Sequence, residues 1–309
     1  MSRLVAVSTS SFAAENSQPL DRLRERGFDV RLNPHGRQLT PDEARGFLDG
    51  VVGLVAGTEK LPADTLRAHP GLKAISRVGV GMDSIDLAAA RELGIAVVNT
   101  PEAHVDAVAE LTLAGLLGAL RRVPDCHAGI RAGTWKKPMG RLLRGKTVGL
   151  VGFGRVGRGV ARLLAAFECP LIAYDPVRDD AAAAARGARY AELDALLPAC
   201  DIVSLHLPYT KAAHHIIGAA QLAAMRGDAV LVNTSRGGLV DEEALAAHLR
   251  AHPGALAYVD CFEVEPYAGP LRELPNAVLT AHIGSYAREA RERMEREAVD
   301  NLLAALGSA

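Results

Sequence analysis

The chain has 309 residues, of which 49% are hydrophobic, and a formal net charge of -1 at pH 7. This length is sufficient for two ordinary α/β domains, each with its own hydrophobic core. The near-zero net charge argues against a protein that binds nucleic acids or anionic membranes in general. Any phosphate group on a substrate must therefore be bound by local positive charge.

The cysteines and the N-terminal residues predict a cytoplasmic protein. The four cysteines are dispersed and form no C-x-x-C pair, so they indicate neither a zinc site nor a disulfide framework, and we expect reduced thiols in the core. Near the N-terminus only Leu4 to Val7 form an apolar run, which is too short for the core of a signal peptide. No apolar run is long enough to span a membrane.

The first hundred residues alternate short apolar strands with helical segments. The predicted strands are Leu4–Ser8, Val30–Leu32, Val51–Ala56, Ala74–Val78 and Ala96–Asn99. The predicted helices are Leu20–Arg26, Pro41–Leu48, Ala63–Ala68 and Ile85–Leu93. Thr40 begins the second helix with a capping box, followed by a proline at the first helical position. This alternation predicts a parallel sheet covered by helices on both faces.

After residue 100 the sequence predicts one long apolar helix, a basic stretch and, further on, a short alanine-rich helix. Pro101 interrupts the chain, and Val105–Arg122 is predicted as a long helix whose apolar face suits a domain or subunit boundary. A polar, basic stretch extends from Ala132 to Lys146. The polyalanine run Ala181–Ala185 is predicted as an exposed helix without a function.

The last helix is predicted to pack on the first domain. It covers Ser285–Leu306 and follows the final strand of the second domain, so the chain is free to cross back. Its apolar residues recur every four positions, at Met294, Ala298, Leu302 and Leu306.

A glycine-rich turn follows the strand that begins at Thr147. It reads Gly152-Phe-Gly154-Arg-Val-Gly157 and leads into an amphipathic helix. The first glycine permits a tight turn, the second lets backbone amides approach a pyrophosphate, and the third lets the helix lie close to the strand. The N-terminus of that helix then attracts the phosphates. By itself such a turn is a weak signal, because glycine turns also occur for packing reasons.

An acidic residue strengthens the prediction of a dinucleotide site. The next strand, Leu171–Tyr174, ends at Asp175, about 20 residues after the glycines, where a carboxylate binds the ribose hydroxyls. Because this carboxylate would repel a 2′-phosphate, NAD is favoured over NADP, although Arg178 could soften the preference. The alternative for Asp175 is a turn residue before Pro176.

Several polar residues are expected at one edge of the second sheet. Further strands are predicted at Ile202–Leu205, Ala229–Asn233, Leu256–Val259 and Val278–Thr280. The C-terminal ends of parallel strands share an edge, where ligands bind. The residues that closely follow a strand are Gly152, Asp175, His206, Arg236, Asp260, Glu265 and His282.

Three of these residues suit hydride-transfer chemistry. His282 can move the hydroxyl proton, Glu265 can orient the imidazole, and Arg236 can hold a substrate carboxylate and polarise a carbonyl. Taken singly, each has an ordinary alternative as a packing, turn or backbone-binding residue. Their shared edge favours the catalytic interpretation.

Seven segments between Arg77 and Gly284 resemble the D-isomer-specific 2-hydroxyacid dehydrogenases, most closely the D-3-phosphoglycerate dehydrogenase branch. Besides the glycine motif, the matching segments are Arg77-Val-Gly-Val-Gly-Met-Asp-Ser-Ile-Asp86, Val98-Asn-Thr-Pro101, Val108-Ala-Glu110, Asn233-Thr-Ser-Arg-Gly-Gly238, Asp260-Cys-Phe-Glu-Val-Glu-Pro266 and His282-Ile-Gly284. The resemblance implies two doubly wound parallel-sheet domains. A Rossmann-type NAD-binding domain of residues 101–283 would be inserted into a flavodoxin-like substrate domain of residues 1–100 and 284–309.

The resemblance also implies roles for individual residues. Arg236, Glu265 and His282 become the catalytic residues, while Asp260 meets the nicotinamide amide. The implied NAD-binding residues are Gly152, Gly154, Arg155, Val156, Gly157, Asp175, His206, Pro208, Thr234, Asp260 and Gly284. Among them, Arg155 and Val156 lie on the pyrophosphate, and the segment from His206 to Pro208 lies beside the adenine. The implied partner is a second copy, in a homodimer formed through the nucleotide domain near Val105.

The implied substrate-binding residues lie mainly before residue 140. The amides around Val80 and Gly81 bind the substrate carboxylate, and Arg77, Lys136 and Lys137 resemble the phosphate contacts of the phosphoglycerate branch. The expected reaction is therefore NAD-dependent oxidation of D-3-phosphoglycerate, as in serine biosynthesis. The alternatives are a glyoxylate or hydroxypyruvate reductase and, in another class, an NAD(H)-sensing corepressor-like binding protein. Four residues depart from the family pattern and leave the acid open: Ser84, His104, Pro138 and Ser285.

Overall fold

Alternating strands and helices build two separate parallel sheets. The computed structural model describes residues 3–307. Contacts between Cα atoms divide the chain into two units: one runs to His104 and resumes at Ser285, and the other comprises Val105–Gly284. Among residues 3–307, no helix has both the length and the hydropathy of a transmembrane span.

The first unit begins with five strands and four helices. The strands are β1 (Leu4–Val7), β2 (Asp29–Leu32), β3 (Val51–Ala56), β4 (Ala74–Arg77) and β5 (Ala96–Asn99). The helices are α1 (Gln18–Glu25), α2 (Pro41–Phe47), α3 (Ala63–Arg67) and α4 (Leu87–Glu92). All strand pairs are parallel, in the order β2-β1-β3-β4-β5. This is the flavodoxin-like order, and the predicted fold class is confirmed.

The second unit contains seven strands and seven helices among its described residues. The strands are β6 (Val148–Val151), β7 (Leu171–Tyr174), β8 (Ala188–Tyr190), β9 (Ile202–Leu205), β10 (Val230–Asn233), β11 (Leu256–Val259) and β12 (Ala277–Leu279). The helices are α5 (Val105–Leu120), α6 (Val123–Arg131), α7 (Arg155–Leu164), α8 (Asp180–Ala184), α9 (Leu193–Ala199), α10 (Ala219–Ala224) and α11 (Glu242–Ala251). The parallel order β12-β11-β10-β9-β6-β7-β8 is a Rossmann order extended by one strand.

The final helix, α12 (Arg288–Gly307), completes the first unit. Met294, Ala298 and Leu302 are buried as predicted, in a core shared with β1 and α1. The helix lies so close to the sheet that a Cβ on Gly53 of β3 would be 3.2 Å from the nearer methyl of Leu302. The discontinuous first unit is therefore closed by residues far apart in the sequence.

Some local predictions were wrong. The helix predicted to Arg122 ends at Leu120, because Arg122 has a left-handed φ of 54° and a separate helix, α6, follows. Strand β8 was missed, since a three-residue edge strand leaves almost no periodicity to detect. The polyalanine helix is not wholly exposed, because Ala183 packs into the core of the second unit. Cys126 is exposed rather than in the core.

The helix caps predicted at Thr40 and Asp241 are confirmed. Thr40 accepts a hydrogen bond from the Glu43 amide, and the Glu43 side chain accepts one from the Thr40 amide, which completes the predicted capping box. Asp241 caps α11 by accepting a hydrogen bond from the Ala244 amide. Such motifs involve residues three positions apart and depend little on the rest of the fold.

Candidate active site

A histidine and a glutamate are in direct contact in the second unit. Nδ1 of His282 lies 2.9 Å from Oε2 and 3.0 Å from Oε1 of Glu265. Both side chains keep more than a third of their surface exposed. Because Nδ1 faces the carboxylate, the orientation of the ring is fixed, and Nε2 is the nitrogen that can exchange a proton with a ligand. The structure thus brings together two side chains that the sequence had grouped.

The carboxylate of Glu265 is held in its charged form. Burial by itself raises the pKa of Glu265, but the hydrogen bond and charge of His282 oppose this effect. The Phe262 amide, which donates a hydrogen bond at 3.0 Å, and the guanidinium of Arg236 act in the same direction. Together they keep the pKa of Glu265 below its ordinary value, so the side chain is an acceptor for His282 at neutral pH.

The loop that carries His282 is anchored on a buried aspartate. The carboxylate of Asp260 accepts hydrogen bonds from the amides of Ile283 and Gly284, both at 2.9 Å, and from the Thr280 hydroxyl at 2.5 Å. The Asp260 carbonyl accepts the amide of His282 at 2.8 Å. His282 itself has a φ of 53°, a conformation that residues other than glycine rarely adopt. These bonds fix that strained backbone. The predicted contact of Asp260 with nicotinamide stays a prediction.

Arg236 lies in the turn after β10. Its carbonyl accepts a hydrogen bond from Nδ2 of Asn233 at 2.9 Å, and its half-buried guanidinium donates to the Ser235 carbonyl at 2.7 Å. The next residue, Gly237, packs so closely that an added Cβ would lie 1.9 Å from the carbonyl carbon of Phe262. This close approach brings the arginine turn against the loop that carries the glutamate.

The glycines after β6 have distinct environments. Gly152 has a φ of 102°, and a Cβ there would lie 2.5 Å from the carbonyl carbon of His206. A Cβ on Gly157 would lie 2.2 Å from the Gly152 carbonyl oxygen. Around Gly154, by contrast, no heavy atom of the described chain other than those of Gly154 and its two neighbours in sequence lies within 4 Å of an added Cβ. Open space over the second glycine and tight packing at the other two fit a dinucleotide pyrophosphate.

The N-terminus of α7 points to the same ligand. Gly154 is its N-cap and, as a glycine, has no side chain that could make a capping hydrogen bond. The first helical residues, Arg155 and Val156, therefore present backbone amides and the positive end of the helix dipole. These groups fit the pyrophosphate of NAD, the cofactor predicted from the sequence.

Asp175 lies beside the glycine turn. Its Oδ2 accepts the amide of Phe153 at 2.7 Å and its Oδ1 accepts the amide of Val177 at 2.9 Å. Each carboxylate oxygen can accept more than one hydrogen bond, so both remain able to bind ribose hydroxyls. The carboxylate thus braces the turn, and its contact with the ribose stays a prediction.

Other predicted cofactor residues have partners within the second unit. Nε2 of His206 lies 2.9 Å from the Ser204 hydroxyl, and burial lowers the pKa of His206 to about 3, which keeps it neutral. The buried hydroxyl of Thr234 lies 2.7 Å from that of Thr112. Pro208 is exposed. Their contacts with NAD stay predictions.

The predicted substrate residues of the first unit lie at the end of β4 and in the turn after it. Arg77 donates a hydrogen bond to the Val78 carbonyl and its charge acts on the buried carboxyl of Glu59. The chain then turns at Gly79, where φ is 136°. Val80 is exposed after this turn, and Gly81 is half-buried. In the second unit, Lys136 and Lys137 are exposed in an extended segment that follows α6.

Two hydroxyls near the site escaped sequence reasoning. Thr280 bridges Tyr258 and Asp260, with oxygen separations of 3.0 Å and 2.5 Å. In the sequence, the position of Thr280 at the end of a predicted strand was only a weak indication of this role. Thr112 meets Thr234 across 122 positions of sequence, and nothing local indicated that contact.

Comparisons with known proteins agree with this geometry. Residues 113–284 match the family model for the NAD binding domain of D-isomer specific 2-hydroxyacid dehydrogenases. A glyoxylate reductase of Thermococcus litoralis is 41% identical over 267 residues, which are 83% of this chain and 80% of the relative. A D-3-phosphoglycerate dehydrogenase of Archaeoglobus fulgidus is 40% identical over 89% of this chain but only 53% of its own length.

A solved structure supports the same assignment over nearly the whole chain. The TT0316 protein of Thermus thermophilus is 40% identical, with a TM-score of 0.88 over 99% of this chain and 97% of that one. The chain therefore belongs to the D-isomer specific 2-hydroxyacid dehydrogenase family and is an oxidoreductase that uses NAD.

Proposed function

We propose that the protein reduces a small 2-oxo acid, glyoxylate or hydroxypyruvate, to the corresponding D-2-hydroxy acid, with Arg236, Glu265 and His282 as its catalytic residues. The observation that carries this proposal is the contact of 2.9 Å between Nδ1 of His282 and Glu265. It leaves the opposite ring nitrogen for the substrate. The similarity to a glyoxylate reductase over most of both chains supports the choice of acid.

The reaction consumes one oxo acid, one NADH and one proton. When bound, NADH would supply the hydride that adds to C2. Nε2 of protonated His282 donates its proton to the oxo oxygen as the C=O double bond becomes a C–O single bond, and Glu265 stabilises the imidazolium before this step. Arg236 provides a planar fork that binds the substrate carboxylate and polarises the neighbouring carbonyl. The reverse steps oxidise the hydroxy acid.

The remaining sequence-derived roles form part of the same proposal. The glycine turn with Arg155 and Val156 binds the pyrophosphate, and Asp175 binds the ribose. His206 and Pro208 flank the adenine, and Thr234, Asp260 and Gly284 line the nicotinamide end. Amides at Val80 and Gly81 bind the substrate carboxylate. This arrangement is supported by the open space over Gly154 and the position of Asp175 beside the turn.

D-3-phosphoglycerate is the second candidate substrate. Arg77, Lys136 and Lys137 are the basic residues that favour it, and a relative with this activity in its name matches 89% of the chain. Against it, the guanidinium of Arg77 already donates a hydrogen bond to the Val78 carbonyl. This contact leaves fewer of its donors for a phosphate.

Replacing the histidine tests the catalytic proposal. His282→Ala should lower kcat by at least about a hundredfold, the size expected for loss of a general acid–base. NADH affinity, measured by fluorescence titration, should stay near normal, because the substituted atoms do not hold the cofactor. His35→Ala, which changes an exposed histidine of the first unit, is the matched control. Undiminished turnover in His282→Ala would refute the assignment.

A substrate panel separates the two candidate acids. Initial rates with glyoxylate, hydroxypyruvate and 3-phosphohydroxypyruvate should be compared for the wild-type protein and for Arg77→Ala. The proposal expects glyoxylate or hydroxypyruvate to give the highest kcat/KM, with no selective effect of Arg77→Ala on the phosphorylated acid. A preference for the phosphorylated acid that disappears in the variant would favour the second candidate. An NADH signal without turnover on any acid would favour a sensing protein.

We also propose that two copies associate through α6 and the segment after it. None of the α6 side chains is buried within the chain. Large apolar side chains are exposed along this region, at Val123, Ile130, Trp135, Met139 and Leu142. A cluster of exposed apolar residues of this size is typical of a protein–protein interface.

A further inference from the structure

A second group of ionisable side chains lies in the second unit, and the proposed reaction does not use it. His214 and His215 follow a short 3-10 helix, Lys211–Ala213, and Glu263 lies in the loop after β11. The two imidazole rings are stacked, with 3.8 Å between their centroids and 25° between their planes. One potential ligand atom from each of the three side chains lies within 4.8 Å of the other two. Within residues 3–307, this is the one group of three such residues that meets this geometry.

The distances suit a metal better than a hydrogen-bonded network. Oε1 of Glu263 lies 3.3 Å from Nε2 of His215 and 3.9 Å from Nδ1 of His214. Nε2 of His215 is nevertheless a buried atom that makes no hydrogen bond within the described chain. In a tetrahedral zinc site, ligand atoms about 2.1 Å from the metal lie roughly 3.4 Å apart. Small side-chain rotations would therefore close these three atoms around one ion.

One existing contact competes with such an ion. The Tyr209 hydroxyl lies 3.3 Å from Nδ1 of His214, at the long end of hydrogen-bond distances. Coordination through Nδ1 would replace this contact. A long hydrogen bond on an exposed side chain contributes little, so its loss opposes binding weakly.

The backbone already holds the histidines and the glutamate in place. The amide of His215 donates to the Gly238 carbonyl at 2.9 Å, and His215 has a left-handed φ of 50°. The amide of Glu263 donates to Oε1 of Glu242 at 2.7 Å, and Gly237 packs against the same peptide. Two loops are thus fixed against each other, which lowers the entropy lost when a ligand is bound.

A second carboxylate beside the cluster also favours a cation. Oε1 of Glu242 accepts a hydrogen bond from the amide of Glu263 at 2.7 Å. Like charges so close repel each other, and a divalent cation held by Glu263 would offset that repulsion.

We propose that His214, His215 and Glu263 form a binding site for a divalent transition metal of the zinc class, with water completing the coordination. Two imidazoles and one carboxylate are ligands that Zn²⁺, Co²⁺ and Ni²⁺ accept, whereas Mg²⁺ and Ca²⁺ prefer oxygen ligands alone. None of the three side chains exchanges hydride or proton in the proposed reaction.

Titration with Zn²⁺ alone tests the proposal. The tag-free, full-length protein should carry Cys126→Ser, because the exposed thiol of Cys126 could bind zinc. Calorimetry or competition with a zinc indicator should give one ion per chain. Glu263→Gln and His214→Ala should each weaken binding by at least about tenfold, the loss seen when residues supporting metal ligands are removed. Co²⁺ should give a visible absorption spectrum that both variants lose.

The control uses the other stacked histidine pair. His248 on α11 and His252, which directly follows this helix, have ring centroids 4.4 Å apart but belong to no three-residue ligand group within the described part of the chain. The double variant His248→Ala/His252→Ala should keep the wild-type Zn²⁺ affinity. Circular dichroism establishes whether each variant is folded. If His214→Ala does not fold, Glu263→Gln still tests the site, because it preserves the side-chain volume. Absence of stoichiometric binding, or an equal loss in the control pair, would overturn the proposal.

Discussion

His282 combines two features that a histidine placed only for packing does not need. Its backbone has a left-handed φ of 53°, which costs on the order of 1 kcal/mol for a residue with a Cβ. Its ring is nevertheless oriented by both carboxylate oxygens of Glu265. Strain of this kind persists where the surroundings over-determine the conformation, and here Asp260 does so through the next two amides.

At the residue scale, Asp175 is the proposed determinant of cofactor preference. Asp175→Asn keeps an acceptor oxygen for one of the two backbone amides but removes the charge that repels a 2′-phosphate. We expect the ratio of kcat/KM for NAD to that for NADP to fall at least about tenfold, which is about 1.4 kcal/mol. Asp180→Asn, which removes a neighbouring exposed charge paired with Arg178, is the matched control. Initial-rate measurements with both cofactors check this.

A purely structural role for Asp175 has a different signature. Its two hydrogen bonds to backbone amides brace the turn at Phe153 and Val177. Weakening of the turn alone would impair both cofactors to the same extent. An unchanged ratio in Asp175→Asn would therefore contradict its role in choosing between them.

At the scale of elements, α5 packs on β11 at a position where only glycine fits. A Cβ on Gly115 would lie 2.0 Å from the ring of Tyr258, which is almost fully buried. The Tyr258 hydroxyl lies 3.0 Å from that of Thr280, which donates to Asp260. Helix α5 is thus connected, through the side chain of Tyr258, to the loop that carries His282.

Two glycines on this helix make a matched pair for a stability measurement. Gly115→Ala should lower the free energy of unfolding by about 1–3 kcal/mol, because the added methyl overpacks the core. Gly118→Ala, where an added Cβ would meet no described heavy atom within 4 Å beyond its chain neighbours and its own helix backbone, should leave the free energy of unfolding unchanged or raise it by up to about 1 kcal/mol. Urea unfolding of both variants measures the difference. Equal midpoints would show that Tyr258 moves aside at little cost.

At the scale of the whole molecule, the exposed apolar side chains near α6 predict a dimer. Trp135 and Met139 are 82% and 93% exposed in the single chain. Trp135→Ser/Met139→Ser should weaken self-association by about 2 kcal/mol or more, as expected for a tryptophan at the centre of an interface. Sedimentation equilibrium across a range of protein concentrations measures the dissociation constant.

A matched substitution keeps the dimer prediction testable. Val177 is 81% exposed elsewhere in the second unit, so Val177→Ser removes an exposed apolar side chain without touching α6. It should leave the dissociation constant unchanged. A wild-type protein that stays monomeric at every concentration, or a double variant that associates as tightly as wild type, would rule out this surface.

The amino-acid sequence by itself determined most of the elements, the fold class and the family. Apolar runs, caps and the glycine turn involve residues close in the chain, and their patterns are set by local geometry. The grouping of Arg236, Glu265 and His282 was also accessible, because parallel strands place successive C-terminal ends at one edge. Short features without periodicity, such as β8, were beyond that reasoning.

Only the tertiary structure decided which atoms meet. The bond between His282 and Glu265, the anchoring of the loop on Asp260, and the approach of Thr112 to Thr234 depend on side-chain positions across loops. The cluster of His214, His215 and Glu263 joins residues about fifty positions apart that no sequence pattern connected. Periodicity predicts the face or edge on which a residue lies, whereas distances between side chains follow from how whole elements pack.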